Sequence, residues 1–356
     1  MKKKMRISAI IIALLFVFVL VGCASDTAPA PGAPAQQAPA QEQAPAQEAP
    51  PAAEPAGELH FGYIVNFLSH EWYQNIVQGL EERAAELGIR VTIVDADLDI
   101  THQINTMEAL IAQGVDVLIV TPVDPIAIET QIVMAQQAGI PVVIEGIPTV
   151  GSDSHVGASD IDGGLAGGRW LAQYVIANDI DPVILNIGLP ALHPDRANGV
   201  FIALAEAGVS YRRIDVDGQG LMEVAINVAT DALTANPDVN VIIGVNDDSV
   251  NGGIAAFMAA GLDTTALTAL GYGFEGDVGR NALLDPDNPF KGSIAMFPNF
   301  VGVLLIDAAY SLAQGNPGRE YLTPTVVIDT NTFEDFYVMV DGQWRMDFDA
   351  IRRLMG

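Results

Sequence analysis

The chain has one cysteine, Cys23, in 356 residues. No internal disulfide can form, so the fold rests on packing alone. Basic side chains are also scarce: sixteen Lys and Arg stand against forty-four Asp and Glu, for a formal charge of −28. Four of those sixteen (Lys2, Lys3, Lys4, Arg6) crowd the first six positions, so the rest is more acidic still. A body of that sign repels nucleic acid and anionic lipid, and no helix-turn-helix precedes the core, so both features argue against a DNA-binding repressor. The five histidines (His60, His70, His102, His155, His193) are scattered, without an HExxH or a paired zinc spacing. A GxSxG elbow, a Walker A loop and a cysteine nucleophile are all missing, which counts against an enzyme.

Two motifs match in form and fail on context. Gly271-Tyr272-Gly273-Phe274-Glu275-Gly276 satisfies GxGxxG after a strand, but it comes late in the chain. No acidic residue stands near Ser293 to Ala295, where a dinucleotide's ribose needs one. Asp95-Ala96-Asp97-Leu98-Asp99 begins like a calcium loop, yet Ile100 and Thr106 hold the positions that require Gly and Glu. Neither cofactor nor metal is expected.

Half of the residues are hydrophobic and only 17% are charged, enough for large cores and, at this length, two domains. Met1 to Arg6 is basic and Ile7 to Val21 is apolar but short for a spanning helix, which reads as a cleaved export signal over residues 1–22. Leu20-Val21-Gly22-Cys23 resembles the lipobox of bacterial lipoproteins and implies that Cys23 becomes the lipid-modified first residue. A plain transmembrane anchor is the alternative, and both place the body outside the cytoplasm. Ser25 to Gly57 is an irregular Ala, Pro, Gln and Glu repeat without a residue able to build a core, so 23–57 reads as a disordered tether to the membrane.

The stretch from Glu58 to Glu145 sets the pattern for the rest of the chain. Leu59 to Val65, Val91 to Val94, Val115 to Val120 and Val142 to Ile144 are short β-branched runs, while Trp72 to Leu87, Gln103 to Ala112 and Pro125 to Ala138 carry helical spacing. Strands apolar on both faces belong to a parallel sheet covered by helices on each side. A short strand at His155 to Ala158 and a helix with paired glycines over Ile161 to Ile176 lead into a second alternating array. Its strands fall at Val183 to Ile187, near Ile214, and at Val241 to Val245, Ala266 to Leu270 and Gly292 to Met296. Its helices are Arg196 to Ala207, Met222 to Ala235, Ser249 to Ala260 and Val278 to Leu284, followed by Phe300 to Ala313 and a strand near Thr325 to Ile328. The fold class is α/β with two doubly wound, Rossmann-like lobes, and ligands of such sheets bind beyond the carboxyl ends of the strands.

Several segments occur together and in order: ELGIRVTIVDAD, ALIAQGVDVLIVTPVDPIAI, QQAGIPVV, ASDIDGGLAGGRWLA, DRANG and ANPDVNVIIGVNDDSVNGGIAAFMAAG. From about Leu59 to Ile328 the chain thus resembles the type I periplasmic sugar-binding proteins of the ribose-binding group. The resemblance implies a three-crossover hinge, with lobes at 58–158 plus 297–325 and at 159–296 plus 326–356. It also implies a monomer that holds a small solute in the interlobe cleft and hands it to the permease of an ABC importer; a sensory module presenting the solute to a membrane receptor is the alternative.

By position the resemblance points to Asn66, His70, Trp72 and Tyr73 in the first loop, Thr121, Arg196 after the fifth strand, Asn246 and Glu275. The family's Asp-Arg pair after GIPVV is replaced around Glu145-Gly146-Ile147, so the carboxylate there is Glu145. The aromatic expected near Gly220 is missing, and Met296 stands where many members carry glutamine. The chemistry agrees: a sugar offers hydroxyls around apolar C–H faces and calls for flat rings with carboxylate, amide or guanidinium groups. Trp72 and Tyr73 are adjacent in a helix and point about 100° apart, so they cannot both face the core squarely. Asn66, His70 and Asn246 also suit helix caps or turns, and Glu275 a surface position. Arg196 opens a helix, where a cation is disfavoured, which argues for a specific task. A pentose, hexose, inositol, deoxysugar or another small polar solute would each satisfy this set.

Overall fold

A computed structural model describes residues 58–355; the export signal, Cys23 and the tether lie outside the described residues. The chain first alternates β1 (His60–Val65), α1 (Glu71–Leu87), β2 (Arg90–Asp95), α2 (Ile100–Gln113), β3 (Val117–Val120), α3 (Glu129–Gln137), β4 (Val142–Glu145) and β5 (Ser154–Ala158). It continues with α4 (Asp160–Ala177), β6 (Val183–Gly188), α5 (Pro194–Glu206), β7 (Arg212–Asp217), α6 (Met222–Ala235), β8 (Val241–Gly244), α7 (Asp247–Ala259), β9 (Thr268–Gly273), α8 (Asp277–Leu284) and β10 (Phe290–Ala295). Then come α9 (Pro298–Ala313), β11 (Glu320–Thr323), β12 (Val326–Ile328), β13 (Tyr337–Val340), β14 (Gln343–Met346) and α10 (Phe348–Leu354).

Two six-stranded sheets result, in the orders β11-β5-β4-β3-β1-β2 and β12-β10-β9-β8-β6-β7. The first is wholly parallel. The second is parallel except for β12, which runs against β10. This is the expected α/β architecture with two doubly wound halves. The chain passes between the sheets after β5, after β10 and between β11 and β12.

Register sets where the strands end. Ile64 pairs with Val120, and Val120 with Ile144, so β1, β3 and β4 stop at one level and their next residues share one edge. Every residue of β3 is buried, as expected of a central strand covered on both faces. Helices α1 and α2 each close on a left-handed glycine, Gly88 and Gly114 (φ 66° and 69°), which frees the chain to turn into the next strand.

The paired glycines of α4 pack in two directions. A Cβ on Gly167 would lie 2.8 Å from Ile294 Cγ1 on the sheet, whereas one on Gly164 or Gly168 would lie 2.9 Å from Gly199 Cα or 2.8 Å from Val200 Cα on α5. Only glycine allows that helix pair to approach so closely, and the approach brings the first turns of α4 and α5 side by side.

Three readings shift. The helix expected from Pro125 begins at Glu129, because Asp124 Oδ1 accepts from the amides of Ile126 and Ala127 and holds the first four residues in a turn. The strand expected at Ala266 to Leu270 runs from Thr268 to Gly273, because Asp263 caps a short 3₁₀ turn over Thr264–Ala266. The tail, read only as an acidic end with Trp344, forms the β13-β14 hairpin and α10. Its rings reach both halves: Phe333 and Tyr337 pack on Phe274 after β9, while Phe336 packs on Phe297 and Phe348 on Phe300 of α9.

Candidate functional site

Three strand ends from each sheet converge on one cavity of ≈ 450 Å³. From the first sheet come Asn66, His70, Trp72 and Tyr73 after β1, Thr121 after β3 and Glu145 ending β4; from the second come Arg196 after β6, Asn246 after β8 and Glu275 after β9. The loops are held from behind. Asp95 accepts from the Leu68 amide (3.1 Å), and fully buried Gln103 clamps the turn after β3, donating to Thr121 O (2.9 Å) and accepting from Val123 N (2.8 Å). The His155 ring donates through Nε2 to Gly146 O (2.8 Å), fixing the turn after β4. Such support keeps a site formed before its ligand arrives.

On the first wall, Tyr73 Oη accepts from Asn66 Nδ2 (3.0 Å), and the hydroxyls of Tyr63 and Thr121 share a hydrogen (3.0 Å). Asn66 Oδ1 is buried without a partner. Glu145 is only 3% exposed, and burial pushes its carboxyl up to about 7 against the opposing pull of Thr121, Arg196 and Trp72. Trp72 packs against core residues of both halves.

The second wall is built around an ion pair. Arg196 Nε donates to Asp160 Oδ1 (2.9 Å), its Nη1 donates to Val245 O (2.7 Å), and its guanidinium lies 4.6 Å from the centre of the Tyr272 ring. His193 Nδ1 lies 2.7 Å from Asp160 Oδ2, and since a carboxylate only accepts, the ring donates there. Burial works to raise the Asp160 carboxyl, but Arg196 and His193 outweigh it and hold it at about 2. Asn246 caps α7, accepting from Ser249 N (2.9 Å) while its amide donates to Gly220 O (2.9 Å). Glu275 is 6% exposed and pushed well above the usual carboxylate range, first by burial and then by Asp247 and Asp248 nearby. Asp247 faces away from the cavity, where its carboxylate accepts from Ser293 Oγ (2.7 Å) and Glu275 N (3.0 Å) and so holds the turn that carries Glu275.

Residues 61–317 match the periplasmic binding protein domain family. The chain belongs to that family. Its relatives include the ribose import binding protein of Bacillus subtilis, 28% identical over 282 residues that cover 77% of this chain and 88% of that one. The Escherichia coli ribose import binding protein is 24% identical over 255 residues, covering 71% and 84%. Among solved structures, an ABC transporter periplasmic solute-binding protein of Actinobacillus succinogenes with bound D-allose superposes with a TM-score of 0.71 at 24% identity, covering 78% of this chain and 100% of that one. Periplasmic binding proteins of this kind are solute binders rather than enzymes, and they act outside the cytoplasm.

All nine candidate residues line the ≈ 450 Å³ cavity of this periplasmic binding protein, but they differ in what they still offer. The amide of Asn246 is engaged within the protein, as is the hydroxyl of Thr121. His70 caps α1 through Nδ1, accepting from Trp72 N (3.2 Å), and Nε2 lies 3.6 Å from Asp248 on the other half. Asp160 and His193 also line the cavity and were not among the candidates. A signal for both existed: Asp160 follows a strand's carboxyl end and opens a helix, and His193 stands three residues ahead of Arg196.

Proposed function

We propose that this chain is a lipid-anchored, extracytoplasmic binding protein that captures a small polyhydroxylated solute, a sugar or cyclitol, and passes it to the permease of an ABC importer. The observation that carries the reading is the convergence of six strand ends, three from each sheet, on one cavity of ≈ 450 Å³ lined by rings, carboxylates, amides and a guanidinium. That size and mixture suit a monosaccharide held by stacking on its C–H faces and by hydrogen bonds to its hydroxyls. The names of the relatives, ribose import and bound D-allose, point to the same ligand class.

In this reading 58–158 with 297–325 and 159–296 with 326–356 act as lobes that close on the solute about the three crossings. A solute touching both walls gains contacts only in the closed form, so it shifts the population toward closure, and the permease reads that shape. Cys23 carries the lipid anchor and 23–57 is the tether. The test is a thermal-shift screen of the full chain with ribose, allose, galactose, fucose, myo-inositol and glucosamine. A rise in melting temperature with the ligand recovered chemically unchanged supports the proposal; no shift with any of them, or turnover, overturns it. Stimulation of a permease-coupled ATPase by the loaded protein separates import from a sensory role.

A further inference from the structure

The cavity has an unusual balance of charge. Three carboxylates line it, from Glu145, Asp160 and Glu275, and Arg196 is the one Lys or Arg side chain among its lining residues. That guanidinium is tied to the second wall, with Nε on Asp160 and Nη1 on Val245 O. Glu145 and Glu275, 3% and 6% exposed, form no ion pair among the described residues. The turn after the fourth strand supplies no cation to Glu145, since Gly146, Ile147 and Pro148 follow it.

A buried carboxylate without an ion-pair partner is costly, and another polar atom on the same wall, Asn66 Oδ1, is a buried acceptor without a donor. Glu145 and Asn66 Oδ1 both take hydrogens, and Glu145 favours a positive charge beside it. An ammonium supplies both, with three donors and no acceptor. A neutral hydroxyl supplies one donor and leaves the charge uncompensated.

We propose that the solute is an aminated polyol, an amino sugar or aminocyclitol, whose ammonium rests against Glu145 while its hydroxyls meet the Arg196 wall. The ligand thus supplies the cation that the end of β4 lacks. The acidic body, −28 overall, concentrates such a cation near the cleft. This inference rests on the polyol-binding reading and narrows it to one charge class.

The test compares isosteric pairs on the full chain by calorimetry at pH 7: D-glucosamine against D-glucose, D-galactosamine against D-galactose, and 1-amino-1-deoxy-scyllo-inositol against scyllo-inositol, with N-acetyl-D-glucosamine as a neutral control. The expected result is that at least one amine binds about tenfold or more tighter than its hydroxyl partner, the scale of one charge-assisted contact. Glu145→Gln should bring that ratio to about one while the neutral partner still binds, and Glu275→Gln should lower it by less, because the charge lost at Glu145 is the one an ammonium meets first. Equal or tighter binding of every neutral partner overturns the amine inference and leaves the polyol reading standing. An amine preference that survives Glu145→Gln removes Glu145 from the role. Binding of neither member of any pair counts against the polyol reading itself.

Discussion

The two walls of the cleft meet the same problem, a buried carboxylate, in opposite ways. On the second wall Asp160 is held at about 2 because Arg196 and His193 grip its two oxygens. On the first wall Glu145 is at least as buried, has no cation in contact, and rises to about 7. The Asp160 pairing is complete as folded, whereas Glu145, like Glu275 across the cleft, forms no ion pair among the described residues. The difference comes from packing as much as from chemistry: the glycine contacts between α4 and α5 bring Asp160 and Arg196 together, while the turn after β4 carries Gly146 where a cation would be needed.

Breaking the completed wall should cost most. Arg196→Ala strands Asp160, buried and charged, and frees Val245 O, so unfolding in urea should show a loss of about 3–5 kcal/mol. Solute affinity should fall in the same variant. Arg196→Lys keeps the charge but not the forked geometry and should fall between the two. A loss under about 1 kcal/mol for Arg196→Ala would show that the pair is decorative.

The unfinished wall should show itself through pH. The Glu145 carboxyl is raised when folded, to about 7, above its ordinary 4.5. The native state then holds a proton that the unfolded chain releases between those values, so this group's stabilisation is present below pH 4.5 and lost as pH rises through 7. The amount is about 3 kcal/mol in the unliganded protein. Asp247, raised to about 7 by burial, adds a slope of the same sign. Glu145→Gln should therefore flatten part of the decline measured by denaturant unfolding from about pH 4.5 to 7.5, and Asp247→Asn a separate part. Asp160, held low, runs the other way, and its contribution disappears only as pH falls through about 2.

The sheets and the strand-end positions were legible because period and register carry them: a β-branched run apolar on both faces has few places to go, and the residue after it lies at the carboxyl edge. What escaped is what forms between elements. Asp160 and His193 become site residues only because α4 and α5 pack closely, a contact that neither segment announces alone. The start of α3 was misplaced because Asp124 competes locally for the first amides. The tail's hairpin was missed because its rings (Phe333, Tyr337, Trp344) are ordered by Phe274 and one another rather than by any periodicity.

Stacking belongs to both walls at once, since Trp72 starts α1 yet packs against both cores. Trp72→Ala should weaken solute binding by about 1–3 kcal/mol, read by calorimetry, with the circular-dichroism spectrum unchanged. If affinity holds while the melting temperature falls, Trp72 is interlobe packing and the ring against the solute must come from elsewhere.

The smallest effect tests how the walls face each other before a ligand arrives. Glu71, on the first half, accepts from the amides of Asp277 (2.6 Å) and Val278 (3.3 Å) at the start of α8, and Asn75 donates to Glu275 O (2.7 Å). A carboxylate at a helix N-terminus is favourable, and this one also ties α1 of one half to α8 of the other. The bonds are exposed, so Glu71→Ala should cost the closed form only about 0.5–1 kcal/mol. That shifts the open-to-closed ratio by about two- to fivefold. Small-angle scattering of the unliganded variant should show a larger radius of gyration, and the solute should bind more weakly by the same factor, since closure then draws on binding energy that the contact had supplied. An unchanged radius with unchanged affinity would mean that the halves are held together elsewhere, by the tail rings on Phe274 and Phe300, and that Glu71 serves only to cap α8.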